Sequence, residues 1–194
     1  MDPQEDIMNL TGKLLIAMPG MGDPRFEKSV IYMCDHTGDG AMGLIVNKPA
    51  TDIGFADLLG QLGIERGDSW REPRIYFGGP VEHARGFVLH SSEYRSAQGE
   101  NATLRVDDSF SMTATLDILS DIAQGAGPAE CMLALGYSGW GPGQLEAEIG
   151  ENGWLMAEAS PEIVFARDNG LKWSAALKTL GIDPLLLSSA AGHA

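Results

Sequence analysis

Three stretches near the start of this chain are apolar on both faces. GKLLIAMP (12–19), SVIYMCDH (29–36) and MGLIVNKP (42–49) are short, bounded by Gly, Pro, Asp or Ser, and show no alternation of wet and dry positions. A strand of that kind has to be covered on both sides or rolled into a barrel, because either face left in water would expose a row of large side chains. The expected fold is therefore α/β or α+β, with a strongly curved, largely antiparallel sheet and short flanking helices. With 194 residues, 44% of them hydrophobic, the chain is long enough to bury such a core as one domain.

The remaining punctuation fills in the order of elements. Asp-Gly chemistry between the second and third strands predicts a β-hairpin from Asp35 to Gly43. IGFADLLGQLG reads as a short helix capped by Thr51 or Asp52, with Phe55, Leu58, Leu59 and Leu62 on one side. After the charged loop RGDSWREP, the segments RIYFGGP and RGFVLHSS read as strands, and ATLRVDDSFSMTA as one more with a wet face. TLDILSDIAQG is a helix burying Leu116, Leu119 and Ile122 and ending at Gly125. AECMLALGYSGW, WLMAEAS and EIVFA read as strands. LKWSAALKTLG is a helix with Trp173, Leu177 and Leu180 inward. The tails, residues 1–11 and 182–194, are expected to be loosely held around a core of about 12–181.

GDGAMG, Gly38 to Gly43, matches the dinucleotide-binding pattern letter for letter. That pattern works by leaving a strand and opening a helix, whose amides hold a pyrophosphate. Here LIVNKP follows, β-branched and closed by proline, so a hairpin is expected instead. The common P-loop, nucleophile-elbow and zinc-protease signatures are absent, and no catalytic signature is recognised. Two cysteines make no disulfide framework, and one Cys-x-His is not a zinc site, which takes about four ligands; no cofactor or metal is called for. No apolar run approaches the roughly 18 residues of a membrane span. The acidic start MDPQEDIMNL lacks a signal peptide's charge pattern, so a cytoplasmic location is expected.

The net charge of −14 weighs against general nucleic-acid binding, whose affinity comes mostly from phosphate contacts. Residues 107–194 hold 12 acidic side chains against 3 basic, while residues 66–105 hold 6 arginines against 5 acids. An anion-binding face would have to come from that middle, or from Lys13, Arg25, Lys28 and Lys48.

Two places could carry chemistry. Cys34 and His36 lie two apart on a strand and so are expected on one face, where a base beside a thiol could activate it. The plainer account is a buried cysteine beside a hydrogen-bonded histidine. The second place is GYSGWGPGQLEAEIGENGW (136–154). Gly141 can cap a helix, Pro142 suits its first position, and Gln144 can reach back to the cap. Leu145 and Ile149 then bury, Glu146, Glu148 and Glu151 face water, and Asn152-Gly153 ends the helix. Strand, turn, helix and strand account for the glycines; Tyr137, Ser138 and Trp140 stay open as residues lining a cleft. A helix N-terminus also attracts anions, an idea the following glutamates weaken.

GKLLIAMPGMGDPRFEKSVIYMCDH, GAMGLIVNKP, YFGGPV with GFVLH, and LGYSGWGPGQLEAEI with NGW together resemble the AlgH/YqgE family of bacterial proteins, over residues 12 to about 181. The resemblance implies a compact α/β fold with a bifurcated, barrel-like sheet. Members are labelled transcriptional regulators, and no established catalytic residues come with the likeness. It brings motif positions instead. Pro19, Pro24, Gly43, Pro49, Gly78, Gly79, Pro80, Gly139 and Gly141 are read as backbone devices, and Phe26, Ser29 and Leu145 accompany them. Asp23, His36, Asn47, His90, Trp140 and Gln144 are the candidates for a ligand-binding cleft. Three functions stand open in this order: a regulatory or interaction protein acting through a protein or small-molecule partner, a direct DNA-binding regulator, and a thiol-dependent enzyme using Cys34 and His36. Against the second, no candidate helix carries a row of Arg or Lys suited to a major groove.

Overall fold

The structure is a computed structural model that describes residues 9–19, 23–68, 72–95, 103–114 and 116–191. The turn expected at 20–22, residues 69–71 of the charged loop, residues 96–102 and the two chain ends, 1–8 and 192–194, lie outside the described residues. In chain order the elements are β1 (Lys13–Ala17), β2 (Val30–Thr37), β3 (Gly40–Ile45), α1 (Phe55–Leu62), β4 (Ile75–Phe77), β5 (Val81–Ser91), β6 (Thr103–Arg105), β7 (Phe110–Thr113), α2 (Leu116–Ala123), β8 (Cys131–Trp140), α3 (Gln144–Gly150), β9 (Trp154–Glu158), α4 (Pro161–Val164), α5 (Lys172–Thr179) and α6 (Pro184–Ala191). The strands run β6-β7-β5-β8-β3-β2-β1-β9 across one curled, half-barrel sheet, antiparallel along this path, and β4 pairs parallel with β8.

The two-faced strands are buried as their composition requires. From β1, Leu14 and Ile16 pack with Val30, Tyr32, Leu44 and Val46, under Val164 of α4 and Trp173, Ala176 and Leu177 of α5. Leu15 and Ala17 point the other way, onto Ile31, Met33 and Ile45, under Trp140, Trp154 and Leu145 of α3. A third cluster lies under α1 and α2, where Phe55, Leu59, Ile118 and Ile122 meet Ile75, Val88 and Leu133. Each such side chain contributes about 1.5–3 kcal/mol on leaving water, so covering only one face would forfeit half of every strand's contribution.

The sheet forks beside β8. β3 pairs with β8 only from Ala41↔Trp140 to Gly43↔Ser138. Beyond that point β4 wedges between them: Ile45 N–H donates to Gly78 O (2.9 Å), Phe77 N–H to Lys48 O (2.8 Å) and Ala50 N–H to Ile75 O (2.8 Å). The Gly78-Gly79 pair sits at the point of the fork. A β-carbon on Gly78 would stand 2.3 Å from Gly136 O, and one on Gly79, at φ +155°, 2.1 Å from the Tyr137 carbonyl carbon. Only glycine lets the two backbones pass this closely.

Several local expectations are corrected. β2 carries a bulge between Met33 and Asp35, so Met33 pairs with Gly43 and Asp35 with Met42. One extra residue inverts the alternation downstream. Cys34 therefore faces the α5 side, and His36 faces Leu10 and α3 on the other; they do not share a face. ATLRVDDSFSMTA is a hairpin of β6 and β7, turned at Asp107, whose carboxylate accepts from Ser109 and Phe110 N–H (both 2.8 Å). EIVFA is not a strand: Pro161 starts α4, and Ser160 O accepts Val164 N–H at 3.0 Å. α1 is capped by Gly54, whose N–H donates to Asp57 (3.0 Å), rather than by Thr51 or Asp52. Leu62, Leu116 and Leu180, expected inward, sit at helix ends and are exposed. Residues 184–191 form α6, and Ile182 and Leu187 pack against the core. At the other end, Leu10 is buried. Among the described residues no helix is long and apolar enough to cross a membrane.

Candidate functional site

Among the described residues, four separate segments meet around a cleft of about 610 Å³. The stretch after β1 supplies Pro19, Asp23, Arg25 and Phe26, and the β4–β5 turn supplies Pro80 and Val81. The end of β8 supplies Gly139 and Trp140. α3 and the turn into β9 add Gln144, Glu148, Glu151 and Trp154.

Its aromatic wall is built around one carboxylate. Trp140 and Trp154 are buried, and an indole N–H taken out of water needs an acceptor. Both find the same one: Glu148 Oε1 accepts Trp140 Nε1–H at 3.3 Å and Trp154 Nε1–H at 3.2 Å. The rings meet edge to face, Trp140 on Trp154 at 6.1 Å and Phe26 on Trp154 at 5.7 Å. Asp23 also lines the cleft, where it accepts Arg25 N–H at 3.0 Å and pairs with the Arg25 guanidinium at 2.8 Å. That hydrogen-bonded guanidinium holds the Asp23 carboxyl below its usual range. Arg25 also lies 5.7 Å over the Phe26 ring. Gln144 Oε1 accepts Gly141 N–H at 3.0 Å, the reach-back its spacing suggested. The regular helix nevertheless starts at Gln144, after Gly143 at φ +72°, so Gly141 and Pro142 belong to the turn before it. With Gly141 N–H occupied and Glu146 in the first turn, this helix start offers no anion site.

Of the six cleft candidates, Asp23, Trp140 and Gln144 come together here; His36, Asn47 and His90 do not. His36 is a buried latch. Its Nδ1 accepts Leu10 N–H (3.1 Å), so its Nε2 carries the proton donated to the Glu146 carboxylate, and its own N–H donates to Thr11 Oγ1 (3.0 Å). Those bonds tie residues 10–11, the hairpin and α3 together. The Glu146 carboxyl is held below its usual range, by a backbone N–H first and by His36 second. Asn47 is a bracket: it accepts Val30 N–H (2.9 Å) and donates to Lys28 O (2.8 Å), fixing Lys28 at φ +53°. It borders a separate depression of about 390 Å³ with Lys28, Lys48 and Trp173. His90 is fully buried, donating from Nδ1 to Ser91 O (2.8 Å) and accepting the Thr113 hydroxyl at Nε2 (2.9 Å); burial pushes its pKa down.

The thiol pairing dissolves with the bulge. Cys34 is 1% exposed, its Sγ approaches Tyr32 O, and burial pushes its pKa up to about 12, the opposite of an activated nucleophile. Among the backbone devices, Pro24 opens a 3₁₀ turn behind Asp23, Pro49 bridges to Tyr76, and a β-carbon on Gly43 would meet Ile31 at 2.6 Å. Pro19, Pro80 and Gly139 wall the cleft.

The sequence reading missed Glu148, Glu151 and Trp154 as site residues, because acids on a short helix read as water-facing. Two tryptophans flanking that helix were the available signal, since each would need an acceptor. It also missed Lys172, which is 1% exposed. Its Nζ donates to Val46 O at 2.7 Å and lies 4.9 Å from the Tyr76 ring centre, and burial pushes its pKa down to about 8. Among the described residues no group of three or more His, Cys, Asp or Glu could hold a metal ion.

Comparison with known proteins gives a consistent result. Residues 14–185 match the family described as DUF179, AlgH-like. The UPF0301 protein SPO0296 of Ruegeria pomeroyi is 66% identical over 190 residues, spanning 96% of this chain and 100% of its own. The UPF0301 protein RHOS4_26140 of Cereibacter sphaeroides is 57% identical over 187 residues, spanning 96% and 100%. The solution structure of the AlgH protein from Pseudomonas aeruginosa superposes with a TM-score of 0.74 at 39% identity, over 98% of this chain and 99% of that one. Protein DIP2367 of Corynebacterium diphtheriae, 21% identical with a TM-score of 0.69 over 94% of this chain, shares the fold.

Proposed function

The chain belongs to the AlgH-like family, and on that premise we propose that it is an interaction protein that works by holding a partner in the cleft between the β1–β2 segment and α3. The observation that carries this reading is convergence. Pro19, Asp23, Phe26, Pro80, Gly139, Trp140 and Gln144, scattered over more than half the sequence, line one opening of about 610 Å³. Clefts of this size with an aromatic wall and a few placed polar groups are the usual form of a binding site. Catalysis is not part of the reading: the two histidines that a mechanism would recruit, His36 and His90, are committed to structural hydrogen bonds. Any effect on gene expression then runs through the partner rather than through DNA, in keeping with the charge of −14. We place the protein in the cytoplasm, where a reduced thiol such as Cys34 persists.

The test is partner recovery from cells. Glu151 is exposed and lines the cleft. Glu151→Arg should lower recovery of any specific partner by about tenfold or more while leaving the melting temperature unchanged. Equal recovery with wild type and variant would remove the cleft from the function.

A further inference from the structure

We propose that the occupant of this cleft is a basic side chain, arginine or lysine, presented on an extended segment of a protein partner. The inference rests on the cleft reading above and adds the chemistry of what enters. Three carboxylates face the opening, and they are not equivalent. Asp23 already has its cation in Arg25. Glu148 and Glu151 have no cationic partner among the described residues. Glu148 is moreover fixed in place by two indole N–H groups on one oxygen. Both donors are neutral, so they orient the carboxylate without cancelling its charge. A pre-oriented anion beside the half-buried Phe26 ring is the arrangement that takes an ammonium or guanidinium group, whose charge pairs with the carboxylate and whose stem lies on that ring.

The cleft shows this chemistry once within the chain itself, because Arg25 rests on Phe26 while paired with Asp23. Its guanidinium side chain is 59% exposed and still has donors to offer. Those donors suit a peptide carbonyl of the same partner. The volume of about 610 Å³ holds two or three residues rather than a single ion. Long-range steering agrees in sign, since a chain of net charge −14 draws basic partners towards it.

The experiment titrates blocked tripeptides with a central Arg, Lys, Gln or Glu into the full-length protein. It follows the indole N–H resonances of Trp140 and Trp154. The Arg and Lys peptides should shift both resonances and bind about tenfold or more tightly than the Gln peptide, losing several-fold in affinity as salt rises from about 0.02 to 0.3 M. Glu148→Gln keeps an oxygen for the indoles and removes the charge; Glu151→Gln removes an exposed charge. Each should weaken the Arg peptide about three- to tenfold with the free protein's spectrum otherwise preserved. Equal or tighter binding of the Gln or Glu peptide would overturn the cationic occupant while leaving a ligand-binding cleft. Equal affinity for free putrescine would overturn the protein partner in favour of a small organic cation. Silence of both resonances towards all four peptides, with partner recovery still sensitive to Glu151→Arg, would overturn this inference alone. Silence with recovery insensitive to Glu151→Arg would overturn the cleft reading as well.

Discussion

Lys172 enters the interior with no carboxylate paired to it among the described residues. Its ammonium has Val46 O and the face of Tyr76, and that is too little to replace water fully, so its pKa falls from 10.5 to about 8. Between those values the unfolded chain holds the proton and the folded chain has released it. Stability therefore rises with pH from about 8 towards 10.5, by up to about 1.4 kcal/mol per pH unit. Below pH 8 both states are protonated and the full penalty is present. Lys172→Met should erase that slope: the difference in unfolding free energy between variant and wild type is flat from pH 7 to about 8 and shrinks above it. Parallel curves through pH 10 would show that the ammonium is not strained by burial. At this scale the sequence was a poor guide to polar roles. His36, Asn47 and His90 were cleft candidates as polar residues among the motif positions that the family resemblance brings. Each proves to be spent on backbone or core bonds, which only the three-dimensional partners Leu10, Lys28 and Thr113 reveal.

Among the elements, the fork at Gly78-Gly79 shapes the site, because it sends Pro80 and Val81 across to the rim of the cleft. Gly79→Ala should cost about 3 kcal/mol or more, the scale of forced overpacking plus backbone strain, since its β-carbon would fall 2.1 Å from the Tyr137 backbone. Urea unfolding measures it, and a loss under 1 kcal/mol would mean the fork relaxes freely. The two-faced strands β1, β2 and β3 were legible from composition, because covering both faces leaves no polar positions to alternate. So were the Gly38–Gly43 hairpin and the Asn152-Gly153 stop after α3. The bulge at Cys34 was not, since one inserted residue changes no composition yet exchanges the faces of Cys34 and His36. α4 was hidden for a related reason: four residues are too few to show a helical period, and only the Ser160-Pro161 start marks it.

Taken whole, the molecule carries its acidity into the cleft. The curled sheet brings Pro19 and residues 23–26 to the same cleft as α3, more than a hundred residues later, so that Glu148 and Glu151 line it together with Asp23 and Arg25. That juxtaposition follows from the strand order, with β1 beside β9 and β8 beside β3, and no local pattern encodes it. Tryptophans at 140 and 154 then close the wall and take their orientation from one carboxylate. The central claim is that function resides in this cleft. Its most direct test is a photo-crosslinking residue installed in living cells at Val81, on the cleft wall, and in parallel at Lys178, exposed on α5. A discrete adduct from Val81 and none from Lys178, lost when Glu151→Arg is added, is the result this account predicts. Adducts alike from both sites, or one from Lys178 alone, would contradict it.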